Sequence, residues 1–158
     1  MIIVECGPDE FVIGSIVSDP EKQIKHGGGK GNVLKKVRDK QRVVGVIDED
    51  PNSAQPREMS RYVEKDTRET AKLLKREDDE AKSLIQLSPD IEGWLISRAK
   101  ENNISLEHYG LPDDRREMHD IHHIERNMDF QRFVSELINT GDDEVNAIRR
   151  WIREAIVE

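Results

Sequence analysis

Ile2-Ile3-Val4-Glu5-Cys6-Gly7-Pro8-Asp9-Glu10 is a short β-branched apolar run cut off by an acid and a Gly-Pro pair. A run this short, closed by two turn formers, reads as a buried strand. Glu5 therefore stands at the carboxyl end of a strand, the edge at which open α/β sheets bind ligands. Val43-Val44-Gly45-Val46-Ile47-Asp48-Glu49-Asp50-Pro51 repeats the pattern, a second buried run passing directly into acids and a proline. If the two strands are parallel neighbours, Glu5, Asp48 and Asp50 converge at one edge.

Between them the chain reads as β-α-β-α-β. Pro8 suits the first turn of a helix, and Asp9 and Glu10 favour its positive end. Phe11, Val12, Ile13, Ile16 and Val17 supply its apolar face, and Asp19-Pro20 ends it. Residues 22 to 26 read as a short strand and Gly27-Gly28-Gly29-Lys30-Gly31 as a turn. Val33, Leu34 and Val37 mark a helix over roughly 31 to 40, before the strand from Val43 to Ile47. Residues 51 to 61 read as an exposed loop behind the acids.

Residues 62 to 82 admit two readings: strands at Thr70–Leu74 and Ser83–Leu87 joined by a polar tip, or a charged helix over 66 to 80. Beyond them, Ser88 caps a helix with Pro89 in its first position. Ile91, Trp94, Leu95 and Ala99 form its buried face, and Glu92 points elsewhere. Later helices carry Phe130, Phe133, Val134, Leu137 and Ile138, then Val145, Ile148, Ile152, Ala155 and Ile156, with Asp142, Asp143 and Glu144 at the start of the last. The expected class is α/β: a Rossmann-like core of about four mostly parallel strands over 1–90, with a helical part over 91–158 packed on it as a single unit.

The 158 residues suffice for one domain with a real core, and the net charge of −8 argues against a general polyanion binder. Nucleic acid would have to enter through a local basic patch or through bound cations. The single cysteine excludes an internal disulfide. No apolar run approaches the ~20 residues that span a bilayer, and no basic leader precedes the first strand. The expectation is a cytoplasmic protein without membrane association.

Strand-end carboxylates are hard oxygen ligands. Asp48 and Asp50 reach one side if the backbone stays extended, and Glu5 then completes an open Mg2+ or Mn2+ site. Such a site polarises phosphoryl groups or activates a nucleophile. The plainer alternative is a set of solvated strand ends and helix caps. Gly28, Gly29 and Lys30 could cradle a phosphate, although a P-loop is excluded because glycine follows Lys30. The plainer reading there is a flexible turn. His119, His122 and His123 have a spacing that invites zinc, but no cysteine completes a site, and surface or partly packed histidines are the better reading. Cys6, beside an acid, reads as a small buried residue and not a nucleophile.

Val4-Glu5-Cys6-Gly7-Pro8-Asp9-Glu10 followed by Val46-Ile47-Asp48-Glu49-Asp50-Pro51 resembles the two motifs of the Toprim superfamily, a strand-end glutamate and, one β-α-β unit later, Asp-x-Asp. That superfamily includes topoisomerases, primases, nucleases of the overcoming-lysogenisation-defect family and small ribonucleases. Leu87-Ser88-Pro89-Asp90-Ile91-Glu92-Gly93-Trp94-Leu95 resembles a Pro-x-x-Glu-x-Trp segment of small Toprim-like proteins. The resemblance implies that Asp48 and Asp50 hold Mg2+, that Glu5 is a ligand or general acid/base, and that Asp9 and Glu92 support them. Glu49, between the two aspartates, joins the supporting set. Cys6 stands where the family has glycine. No tyrosine nucleophile of a topoisomerase, zinc module of a primase or ATPase segment is present in these residues. Two functions follow as expectations: a Mg2+-dependent nuclease acting on DNA or RNA, or a non-catalytic Toprim-fold module docking on a partner such as an ATPase or nuclease subunit.

Overall fold

The computed structural model describes residues 1–19 and 23–156. The readings that place Pro20 at a helix end and Lys22 at a strand start lie outside them. The chain is α/β, with one mixed sheet of six strands. Its strands are β1 (Ile2–Val4), β2 (Ile24–His26), β3 (Val43–Asp48), β4 (Tyr62–Thr67), β5 (Ala71–Arg76) and β6 (Asp79–Leu87), in the spatial order β2-β1-β3-β6-β5-β4. The helices are α1 (Gly7–Val17), α2 (Lys30–Asp39), α3 (Ile91–Glu101), α4 (Arg115–His119), α5 (Met128–Asn139) and α6 (Asp143–Ile156).

Strands β2, β1, β3 and β6 are mutually parallel, as expected, and β5 and β4 extend them as an antiparallel hairpin. The sheet is thus two strands wider than the expected core. The charged-helix reading of 66–80 is overturned, because Leu73 and Leu74 of β5 fall on opposite faces of a sheet covered on both sides. The pleat turns successive side chains to opposite faces, so one pair of leucines serves both layers. The run Glu77-Asp78 is the exposed β5–β6 turn.

The same alternation divides the core. Ile2, Val4, Val44, Val46, Ile85 and Leu87 face a large cluster with α1, α3, α5 and α6, whose anchors include Trp94, Phe130, Phe133 and Trp151. Ile3, Val43, Ile47, Leu74 and Leu84 face Val33, Leu34 and Val37 of α2. Gly45 permits that second layer. A Cβ there would stand 2.9 Å from side-chain carbons of Val33, Val37 and Leu84, too close for any side chain.

The chain leaves β1 through α1 to β2 on one flank, then returns through α2 to β3 on the other. With α1 and α2 on opposite faces, the carboxyl ends of β1 and β3 form a topological switch point, where doubly wound sheets open a crevice.

Candidate functional site

Glu5 directly follows β1 and Asp48 ends β3, so both carboxylates stand at the switch point. Glu5 Oε2 accepts a hydrogen bond from the Asp48 N–H at 2.7 Å. The first turn of α1 brings in Asp9. Cys6 caps this helix, and Asp9 Oδ2 reaches back to accept from the Cys6 N–H at 3.2 Å and from its Sγ at 3.1 Å. Asp9 is 2% exposed, and its other oxygen, Oδ1, is buried without a hydrogen-bond partner. An unpaired buried carboxylate oxygen carries a desolvation cost with no hydrogen bond to offset it.

Glu92 completes the group. The tails of β3 and β6 run on together past the sheet, with Glu49 N–H donating to Leu87 O and Asp50 N–H to Pro89 O, both at 2.9 Å. Ser88 N–H still pairs with Thr70 O, so Ser88 belongs to this ladder and cannot cap α3. Asp90 is the cap, accepting from Gly93 N–H at 2.8 Å. The helix consequently begins at Ile91 and turns Glu92 inward. Glu92 is 8% exposed, a correction to the reading that it points elsewhere.

Crowded carboxylates penalise one another's charged forms, and three of these acids, Glu5, Asp9 and Asp48, hold their protons more tightly than usual. Burial, then the charges of Asp9, Glu5, Glu92 and Asp50, pushes Asp48 up to about 9. Burial raises Asp9 to about 7, aided by the Glu5 and Glu92 charges and opposed by the Cys6 hydrogen bonds. Burial likewise raises Glu5, against the Asp48 N–H bond and the Lys30 charge. Cys6 is exposed, a correction to the buried reading, although partial desolvation of its thiol and the Asp9 carboxylate beside it hold that thiol far above its ordinary range. A nucleophilic role for Cys6 finds no support in that thiol.

Asp50 behaves differently from the expected Asp-x-Asp pair. The backbone does not stay extended: Asp50 takes φ 48°, and its carbonyl accepts from Ser53 N–H in a turn. Its Oδ2 lies 3.8 Å from Lys30 Nζ at the rim of the cluster. Glu49 enters through its backbone, whose carbonyl accepts from Lys30 Nζ at 2.8 Å and from Gln55 Nε2 at 3.0 Å. Lys30 also donates to Gln55 Oε1 at 2.9 Å, and its side chain is only 8% exposed. The glycines ahead of it have structural duties. Gly28 holds φ 92° and Gly29 caps α2, while a Cβ on Gly27 would collide with Val33.

Among the described residues no three His, Cys, Asp or Glu side chains stand as a ready-made metal-ligand set. The donor chemistry nevertheless suits a hard divalent cation: clustered carboxylates, one with an orphaned oxygen, and a nearby lysine already engaged by the 49–55 loop. The histidines are spread around an adjacent cleft. His119 Nδ1 is 3.0 Å from Glu92 Oε1, and the His122 and His123 rings lie 3.8 Å apart. No helix among the described residues is long and apolar enough to cross a membrane. No protein-family model, no curated protein and no solved structure matches this chain.

Proposed function

We propose that this chain is a Mg2+-dependent, Toprim-like phosphotransfer protein, a nuclease acting on DNA or RNA through Glu5, Asp48 and Asp50. The observation that carries the reading is the group of mutually repelling carboxylates at the switch point, with an unpartnered buried oxygen on Asp9. The resemblance of residues 4–10 and 46–51 to the Toprim motifs supports it, as does the parallel run β2-β1-β3-β6.

In this reading Glu5, Asp48 and Asp50 hold Mg2+ or Mn2+. The ion, when bound, would polarise a phosphoryl oxygen and lower the pKa of a coordinated water. Glu5 must give up its bond to the Asp48 N–H to join the set, and Asp50 must swing away from Lys30. Lys30 keeps its bonds to the Glu49 carbonyl and Gln55, and its third N–H is left to contact a phosphate oxygen beside Gly28 and Gly29. Asp9 supports the site by holding Cys6, the residue after Glu5, through its N–H and Sγ, and Glu49 anchors the loop through its carbonyl.

Titration of Mg2+ and Mn2+ into wild-type protein and Asp48→Ala by calorimetry tests the site. Saturable binding lost in the variant is expected. Affinity should strengthen as pH rises through about 7 to 9, because protons on Asp9 and Asp48 must leave. Asp48→Ala/Asp50→Ala should abolish metal-dependent cleavage of plasmid and oligonucleotide with the circular dichroism spectrum unchanged. Cleavage equal to wild type would refute the assignment.

A second reading draws on the acids not being preassembled: Glu5 is bound to a backbone N–H and Asp50 faces Lys30. The fold would then serve as a binding or regulatory module whose helical half docks on an ATPase or nuclease subunit. It expects no metal binding, no turnover, and co-purification with that subunit.

A further inference from the structure

A cleft of about 610 Å3 separates Cys6-Gly7-Pro8 at the head of α1 from the segment 119–126. Glu92 belongs to both neighbourhoods. It lines this cleft, and its charge acts on Glu5, Asp9 and Asp48. His119 stands at the other end of the Glu92 carboxylate, its side chain 74% exposed and its Nδ1 3.0 Å from Glu92 Oε1. A buried carboxylate behind one ring nitrogen fixes the orientation of the imidazole and leaves the other nitrogen for a reactant. Nothing in the packing requires so exposed a ring to be held in this way.

We propose that His119 touches the substrate in this cleft and gives its Nε2 proton to the leaving oxygen of a phosphodiester, with Glu92 as its positioning residue. This rests on the metal-dependent cleavage proposed above, in which Glu92 is not a metal ligand. In the step, a water oxygen forms a bond to phosphorus while the bond from phosphorus to the leaving oxygen breaks. The leaving oxygen keeps that electron pair and takes the His119 proton. The attacking water loses its proton to solvent, from which His119 is recharged.

The surroundings suit a proton donor. The Glu92 hydrogen bond and charge raise the His119 imidazole above its ordinary range, and Asp120 on its own segment and Asp90 at the head of α3 add to this. Arg115 of α4 offsets Asp90, to which it donates at 2.6 Å. Nearer the head of α1 His26 pairs with Glu10, while on the same segment as His119, His123 pairs with Glu125 at 3.5 Å and the His122 ring rests on His123. Arg126 adds a positive charge to the same wall.

A leaving-group comparison tests the assignment, because 4-nitrophenolate departs without a proton and a nucleotide oxygen does not. With Mn2+, His119→Ala should cut a single-stranded DNA oligonucleotide about 10²- to 10⁴-fold more slowly. Its loss on bis(4-nitrophenyl) phosphate should be at least about ten-fold smaller. Glu92→Gln should move the alkaline limb of the kcat profile to lower pH with KM little changed. It should also lower the His119 midpoint read from imidazole NMR, a readout independent of turnover. Equal losses on the two esters, or a His119 midpoint unmoved by Glu92→Gln, would overturn the proposal. If Asp48→Ala loses both esters while His119→Ala loses neither, the histidine is misassigned and the metal reading stands. If wild-type protein cleaves neither, both fall.

Discussion

Two groups of buried charge lie in the same core and are built on opposite plans. Around Arg98, burial would raise the Asp142 carboxyl, but hydrogen bonds from Arg98, Asn102 and the Val145 N–H overcome it and hold that carboxyl below its usual range. Arg98 Nη2 and Nε donate to Asp142 at 2.7 to 3.1 Å, and Nη1 donates to Glu144 at 3.0 Å. Glu144 also accepts from Trp94 Nε1, Thr70 N–H and Thr70 Oγ1. No buried nitrogen or oxygen of the Arg98, Asp142 or Glu144 side chains lacks a partner, and the network ties the sheet to α3 and α6. At the switch point, Glu5, Asp9, Asp48 and Glu92 crowd together, the proton affinities of Glu5, Asp9 and Asp48 rise, and an Asp9 oxygen goes unpaired. A chain able to satisfy one cluster this completely leaves the other unsatisfied for a reason outside folding, and the reason proposed here is a cation.

That contrast can be broken most forcefully at Arg98. Arg98→Met should lower unfolding free energy by about 3–5 kcal/mol in denaturant titration, because it strands two buried carboxylates. Mg2+ should have no specific effect on that loss. At the acid cluster, Mg2+ at 100 times its dissociation constant should add about 2.7 kcal/mol to wild type at pH 8 and nothing to Asp48→Ala.

Asp48→Asn is expected to act in the opposite direction from Arg98→Met. At pH 8 it replaces a carboxyl that must take up a proton on folding with a neutral amide, and should stabilise the metal-free protein by about 0.5–2 kcal/mol while abolishing ion binding. The pH dependence follows from the raised carboxyls. Between the ordinary aspartate range near 4 and about 9, the folded state holds protons that the unfolded chain has released. Metal-free stability from this cluster should therefore fall as pH rises across that window, and Asp48→Asn should flatten the fall. The smallest expected effect is Thr70→Val, which removes one hydroxyl donor to Glu144 and should cost about 1 kcal/mol.

Strands β1 and β3 and the two leading acids were legible because buried strands leave continuous apolar runs, and each of these two runs stops at an acid. Strand β4 was not legible. Tyr62-Val63-Glu64-Lys65-Asp66-Thr67 forms a sheet edge, mostly exposed and charged, so no burial imprints a period on it. The orientation of Glu92 and Asp50 depended on single-residue events, the cap falling on Asp90 instead of Ser88 and the left-handed φ at Asp50, and neither has a strong local signature. Asp9 was visible as a helix-start acid, but the same signal describes an ordinary dipole partner. The pairs Arg98–Asp142 and His119–Glu92 join residues 44 and 27 positions apart, and no periodicity connects them.

The missing side chain at Gly45 has a consequence beyond core packing. Helix α2 rests on that bare stretch of β3, and its first residue is Lys30, whose ammonium reaches the Glu49 carbonyl and the rim of the acids. A methyl group at position 45 would act as a wedge, levering the helix outward and drawing Lys30 away from the carboxylates without altering any residue that touches them. The reach of that lysine is thus calibrated from the interior of the protein, and mutational drift at one internal glycine could detune the site as effectively as loss of the lysine itself.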